Sequence, residues 1–136
     1  MLDHRGFKEG DIVEAVYKSG VYVGEVVGFS DRTPRAKVRV MAVLRHPEQG
    51  DLHRKGDVNV EMFHERKALS EREVALVPLR DMRKFDGEIP DYRASLKSAL
   101  EDEIRRLEQE LANPAQGEWA RASLAHLYRL KAEYGF

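Results

Sequence analysis

Near Pro78 the apolar residues of this chain change their period, and that switch limits the possible folds more than any other feature. Before it they recur every second residue, which sets one face of an extended strand against a core; after it they recur every third and fourth, which does the same for a helix. A β block followed by an α block is the expected order.

Within the first block, residues 11–17 (DIVEAVY) are rich in β-branched side chains, Lys18, Ser19 and Gly20 supply a tight turn, and residues 21–29 (VYVGEVVGF) run back. This is a hairpin with a short glycine-containing loop. Gly24 and Gly28 fall inside its second strand, where a missing side chain permits a bulge or a bend. In residues 36–44, Val38, Val40, Ala42 and Leu44 alternate with Lys37, Arg39 and Met41. Val58, Val60 and Met62 alternate over a shorter run, and residues 73–79 (EVALVPL) complete five expected strands. Five short strands in about 80 residues suggest a small antiparallel barrel of the SH3-like kind.

In the second block Tyr92, Leu96, Leu100, Ile104, Leu107 and Leu111 form one apolar stripe along a helix of roughly six turns, with Pro90 placed to begin it. The far side offers ion pairs at i,i+4: Glu101 with Arg105, Asp102 with Arg106, and Arg106 with Glu110. Asn113 and Pro114 break the pattern. A second helix, starting either after Asn113 or near Gly117, then aligns Trp119, Ser123, Leu127, Leu130 and Tyr134. The expected organisation is mainly β plus α: an SH3-like small barrel over residues 1–80 and a C-terminal antiparallel helical hairpin over residues 81–136, packed on the barrel.

Composition excludes several chemistries. With no cysteine among 136 residues there is no disulfide, thiolate metal site, cysteine nucleophile or thioether-linked lipid. No apolar run approaches the roughly 20 residues that cross a bilayer, and the amino terminus, MLDHRGFKEGD, lacks the apolar region of a secretory signal, so the cytoplasm is the expected location. Residues 1–80 hold 14 Lys and Arg against 13 Asp and Glu, and residues 81–136 hold 9 against 11. That balance lacks the basic stripe of a phosphate-tracking protein; only Arg32, Arg35, Lys37 and Arg39 cluster.

Residues 44–69 (LRHPEQGDLHRKGDVNVEMFHERKAL) are the polar interlude in the β block and hold three of the five histidines: His46, His53 and His64. With Asp51 and Glu65 they have the side chains of a divalent-cation site, but no HxH or HExxH spacing, so the plainer reading is that the imidazoles bond loop backbone. No serine lies in a G-x-S-x-G or S-x-x-K pattern, and the glycines match no phosphate loop. No cofactor, metal or catalytic residue is expected. Tyr17, Tyr22 and Phe63 are candidates for an aromatic groove, with burial of Tyr17 and Phe63 in the core as the alternative.

The runs GDIVEAVYKSGVYVGEVV, VMAVLRHPEQGDLH, MFHERKAL and GEIPDYRASLKSALE together resemble the kinase-associated protein B family of spore-forming bacilli, over nearly the whole chain. The resemblance implies an SH3-like barrel with a helical hairpin, acting without catalysis as an accessory of a membrane sensor histidine kinase that feeds the sporulation phosphorelay. It implies association with the membrane through that kinase, without insertion of the chain itself. It carries no functional residues across.

A contact protein needs a rigid platform and a distinctive exposed patch. His46, Gln49, Asp51, His53, Phe63, His64, Glu65 and Arg66 are the candidates for that patch, with Phe63 and Arg66 as anchors. Glu65 and Arg66 have a competing role as an internal ion pair that fixes the loop. Two other functions are open to the sequence: an RNA-binding module using residues 32–39, and a histidine-dependent metallohydrolase.

Overall fold

The computed structural model describes residues 3–50 and 63–136. Its strands are β1 (Ile12–Tyr17), β2 (Gly20–Phe29), β3 (Arg35–Arg45), β4 (Val74–Pro78) and β5 (Met82–Lys84), with one 3-10 turn (Leu79–Asp81) between the last two; helices α1 (Tyr92–Glu110) and α2 (Gly117–Tyr134) follow. All neighbours in the sheet are antiparallel, in the order β4-β3-β2-β1-β5. Four of the strands stand where the alternating pattern predicts them. The fifth differs: Met82–Lys84, placed by sequence in the helical block, pairs with Val13–Ala15. The stretch Val58 to Met62, read as a strand, lies outside the described residues.

The β1–β2 turn is tighter than its sequence suggests. Tyr17 pairs directly with Gly20, so Lys18 and Ser19 form a two-residue loop with φ of 46° and 70°. Such a turn matches the twist of the strands it joins but asks two non-glycine residues to adopt left-handed backbone. Its strain is offset in part by a tertiary bond, since Ser19 Oγ accepts the Glu48 N–H at 2.9 Å.

Register shifts at Val23/Gly24 and Val26/Gly28 bend β2. Gly24 is the critical one. A Cβ there would lie 2.6 Å from the Arg39 carbonyl oxygen and 2.5 Å from Val38 Cγ1, whereas one at Gly28 would meet only the flexible Lys37 stem at 3.4 Å. The curled sheet encloses Val13, Ala15, Val26, Ala36, Val38, Ala75, Val77, Leu79 and Met82.

A second core lies between the helices, built on Leu100, Ile104, Leu107, Trp119, Ala120, Leu124, Leu127 and Leu130. The third joins sheet to helices through Tyr22, Val40, Val43, Ala68, Leu96 and Ala99. Ser95 ties the two blocks polarly as well, its Oγ accepting the Val43 N–H at 3.0 Å and donating to the Tyr92 carbonyl at 2.8 Å. Together these give a small barrel-like sheet followed by a helical hairpin packed against it.

Details of the helices depart from the sequence reading. Asp91, not Pro90, begins α1: its carboxylate caps the Ala94 N–H at 2.9 Å, leaving Pro90 just outside. Leu111 falls after the last helical residue and is exposed. The expected i,i+4 pairs are replaced by i,i+3 pairs, Arg105 to Asp102 and Arg106 to Glu103. For Arg106 the reason is burial. Glu103 lies on the inner face, and a bidentate Arg106 at 2.9 Å for both bonds is what makes a carboxylate tolerable there. For α2 the later of the two starts is realised. The Asn113 carbonyl accepts from Gln116 and Gly117 in a turn that leads into the helix, and the backbone of Leu111 leaves no room for a side chain at Gly117.

Candidate protein-interaction site

Residues 46–50 and 63–69 run beside each other, joined by Gly50 N–H to the His64 carbonyl at 2.8 Å. Gln49 clamps them. Its amide nitrogen donates to the carbonyls of Pro47 at 3.1 Å and Arg66 at 3.0 Å, and its Oε1 accepts the Arg66 N–H at 2.9 Å. One side chain thereby serves backbone groups that no strand or helix pairs.

His46 is fully buried. The Pro47 carbonyl, 3.0 Å from Nδ1, can only accept, so Nδ1 holds the proton and the neutral Nε2 accepts from the Tyr134 hydroxyl at 3.0 Å. The same hydroxyl accepts the Ala68 N–H at 3.0 Å. Burial pushes the His46 pKa below the usual imidazole value, against the smaller opposing pulls of the Pro47 carbonyl and Glu103. His46 is a neutral structural hinge between loop and helix.

Two more tyrosines complete the arrangement. Tyr22 accepts the Leu69 N–H at 3.2 Å, and Tyr92 donates to the Leu69 carbonyl in a short bond. Residues 68 and 69 are thus held by three phenolic hydroxyls, from β2, α1 and α2. Burial pushes the pKa of Tyr22 and of Tyr92 up to about 12 and raises that of Tyr134, so all three keep their protons at neutral pH. By sequence Tyr22 falls beside a turn and Tyr92 and Tyr134 on helical stripes; nothing in their spacing shows that they converge.

On the other side, Glu65 reaches α2 and accepts from Arg129 at 3.0 Å, with His126 Nδ1 also 3.0 Å away. Phe63 stacks on the His126 ring, centroids 5.2 Å apart, and packs against the interhelical core. The internal Glu65–Arg66 pair is therefore not formed: Glu65 fixes the segment to α2. Arg66 is left over. Among the described residues its guanidinium has no ion pair, and its buried Nε has no acceptor.

Arg66 lines an open cleft of about 280 Å³ with Tyr17, Lys18, Tyr22, Pro47, Glu65, Lys67, Leu69 and Glu73. The wall is aromatic and mainly cationic. Lys18 lies over the Tyr17 ring at 5.4 Å, and Lys67 pairs with Glu133 at 2.8 Å. Of the eight residues singled out by sequence, Arg66 and Glu65 border the cleft, Phe63 packs against the interhelical core instead, and His64 is exposed. His46 and Gln49 are buried and position the backbone, so their side chains offer no surface to a partner. Asp51 and His53 lie outside the described residues. No group of three or more metal-ligating side chains converges among the described residues, and no helix there is long and apolar enough to cross a membrane.

Residues 17–135 match the family model described as kinase associated protein B. The chain belongs to the kinase-associated protein B family. It is 42% identical over 128 residues, 94% of each chain, to the kinase-associated lipoprotein B of Bacillus subtilis (strain 168). It also resembles the crystal structure of kinase-associated protein B from Bacillus cereus, with a TM-score of 0.77 and 38% identity, covering 96% of this chain and 99% of that one. The likeness spans sheet and hairpin together, so the cleft is framed by elements inside the family's common fold.

Proposed function

We propose that this protein is a non-enzymatic accessory of a kinase, specifically a sensor histidine kinase of a sporulation phosphorelay, and that it works by contact through the cleft in front of residues 63–69. The family's name supports a kinase partner. The observation that carries the site is Arg66: a buried donor with no acceptor, beside Tyr17 and Tyr22, on a backbone held from behind by Gln49 and three tyrosines. An orphaned guanidinium N–H costs about 1–3 kcal/mol, which the side chain would recover by turning out to meet an incoming carbonyl or carboxylate. Arginine and tyrosine are also the side chains that dominate binding hot spots. The curled sheet with its aromatic-lined cleft supports reading the platform as an SH3-like barrel. As an accessory, the protein raises kinase activity only to the extent that it binds the active conformer more tightly than the inactive one.

The test is binding of the full chain to the cytoplasmic part of the kinase from the same organism. Arg66→Met keeps the aliphatic stem and removes the orphan donor. The expected result is at least tenfold weaker binding with a melting temperature no lower than that of the unaltered chain. Wild-type affinity in Arg66→Met, or no association of the unaltered chain with the kinase, would overturn the proposal.

A further inference from the structure

The edge of the sheet at β4 presents a second surface, independent of the cleft and of the kinase reading. β4 ends the strand order and pairs only with β3. Its ladder bonds fall on alternate residues: the Glu73 carbonyl accepts from Val40 N–H at 2.9 Å, and Leu79 N–H donates to the Pro34 carbonyl at 2.9 Å. With Val38 opposite Ala75 and Ala36 opposite Val77, that alternation turns the N–H and C=O of Val74 and Leu76 away from β3. Neither residue has another backbone partner among the described residues. Their side chains are also outward, with Val74 51% and Leu76 38% exposed. Pro78 closes one end of this edge, and a left-handed Arg72 (φ 70°) closes the other. What lies between is a short open length of strand.

The adjacent row on the same face is cationic. Arg35 lies opposite Pro78, Lys37 opposite Leu76 and Arg39 opposite Val74, and all three β3 residues are exposed. Arg39 is paired with Glu25 at 2.8 Å, but Arg35 and Lys37 have no ion pair among the described residues. Nearby acids do not answer them. Glu73 Oε1 is taken by the Ser70 N–H at 2.9 Å, and Glu71 and Asp81 lie at the two ends of the strand beside Arg72 and Arg80. A strand added beyond β4 would run about 10 Å from β3, two strand spacings of about 4.8 Å, which a lysine or arginine leaning over Val74 and Leu76 spans to reach a glutamate.

We propose that the β4 edge binds an extended acidic segment of another protein as an added strand, Val74 and Leu76 supplying backbone bonds and apolar contact, and Arg35 and Lys37 supplying charge selection. This is strand addition to an exposed sheet edge. A second copy of this chain fits less well, because its own Arg35 and Lys37 would flank the junction and leave every cation unanswered.

The probe is a blocked synthetic peptide of about eight residues alternating glutamate with valine, against a matched peptide with lysine for glutamate. Each is titrated into the full, isotopically labelled chain. The acidic peptide is expected to shift the Val74 and Leu76 amides, slow their hydrogen exchange at least tenfold, and bind more weakly as salt rises; the basic peptide does none of these. Leu76→Pro removes one outward N–H without touching the β3 ladder, and Arg35→Glu with Lys37→Glu reverses the charge without touching the edge. Each is expected to weaken the acidic peptide at least tenfold. If Leu76→Pro does not fold, the charge reversal decides. Equal binding of both peptides, binding that leaves the Val74 and Leu76 amides unmoved, or protection of those amides by self-association without peptide would overturn the inference.

Discussion

The two sides of residues 63–69 are built on opposite principles. Behind, a connected set of polar groups is answered: the carbonyls of Pro47 and Arg66 by Gln49, and the Ala68 N–H and both backbone groups of Leu69 by three tyrosines, one of which also serves His46. In front, Arg66 has a buried donor with nothing to donate to. A buried network is worth most when complete and is costly when one member is removed, whereas an unsatisfied group costs stability until something binds it. The contrast separates a scaffold side from the side that the proposed function makes the contact. It also moves His46 and Gln49, two of the most conspicuous polar residues in the sequence, from the contact side to the scaffold.

Substitutions on the two sides should therefore behave differently. The largest effect is expected from Gln49→Ala, which strips the partners from the Arg66 N–H and carbonyl, takes one of two donors from the Pro47 carbonyl, and should lower stability by about 2–3 kcal/mol in urea denaturation. Tyr134→Phe comes next. It orphans the Ala68 N–H and leaves His46 Nε2 without its donor while keeping the ring's packing, at a cost of about 1–3 kcal/mol. If either variant unfolds like the unaltered chain, the network is not structural.

Protonation of His46 should act more gently. Its pKa is lower folded than unfolded, so the unfolded chain binds the proton more readily. The stability it contributes is complete above the unfolded imidazole value of roughly 6.5 and is lost as pH falls below that value, levelling off only beneath the folded pKa. Urea midpoints at pH 7.5, 6.5 and 5.5 should fall in that order, and His46→Gln should fall less steeply over the same window. No loss of stability is expected at the front. Arg66→Met should be no less stable than the unaltered chain, gaining up to about 1–3 kcal/mol as the orphan donor is removed. A large loss there would erase the distinction between the two sides.

Legibility from sequence followed the range of the interactions. Strands β1 to β4 and both helices were readable because strand and helix periods are local. Strand β5 was not: three residues, of which only Met82 is buried, carry too short a pattern, and their strand character comes from pairing with β1 some 70 positions earlier. The i,i+4 pairs expected of Arg106 failed similarly, since they assume that its partners are on the solvated face, whereas Glu103 is turned inward by the packing of α1. At the site, sequence located the polar segment and named Arg66 as an anchor. It did not separate Arg66 from its buried neighbours, because all of them are polar residues in a loop.

The amino-acid order alone determined the β-then-α architecture, the hairpin at Lys18 and Ser19, and the family to which the chain belongs, because each is encoded in residues close together or in a recognisable string. Which polar side chains became scaffold and which stayed available was decided by the tertiary structure. A hydroxyl on Tyr134 reaches an imidazole 88 positions earlier only after sheet and hairpin have packed, and burial, which sets the worth of a hydrogen bond, exists only in the folded chain.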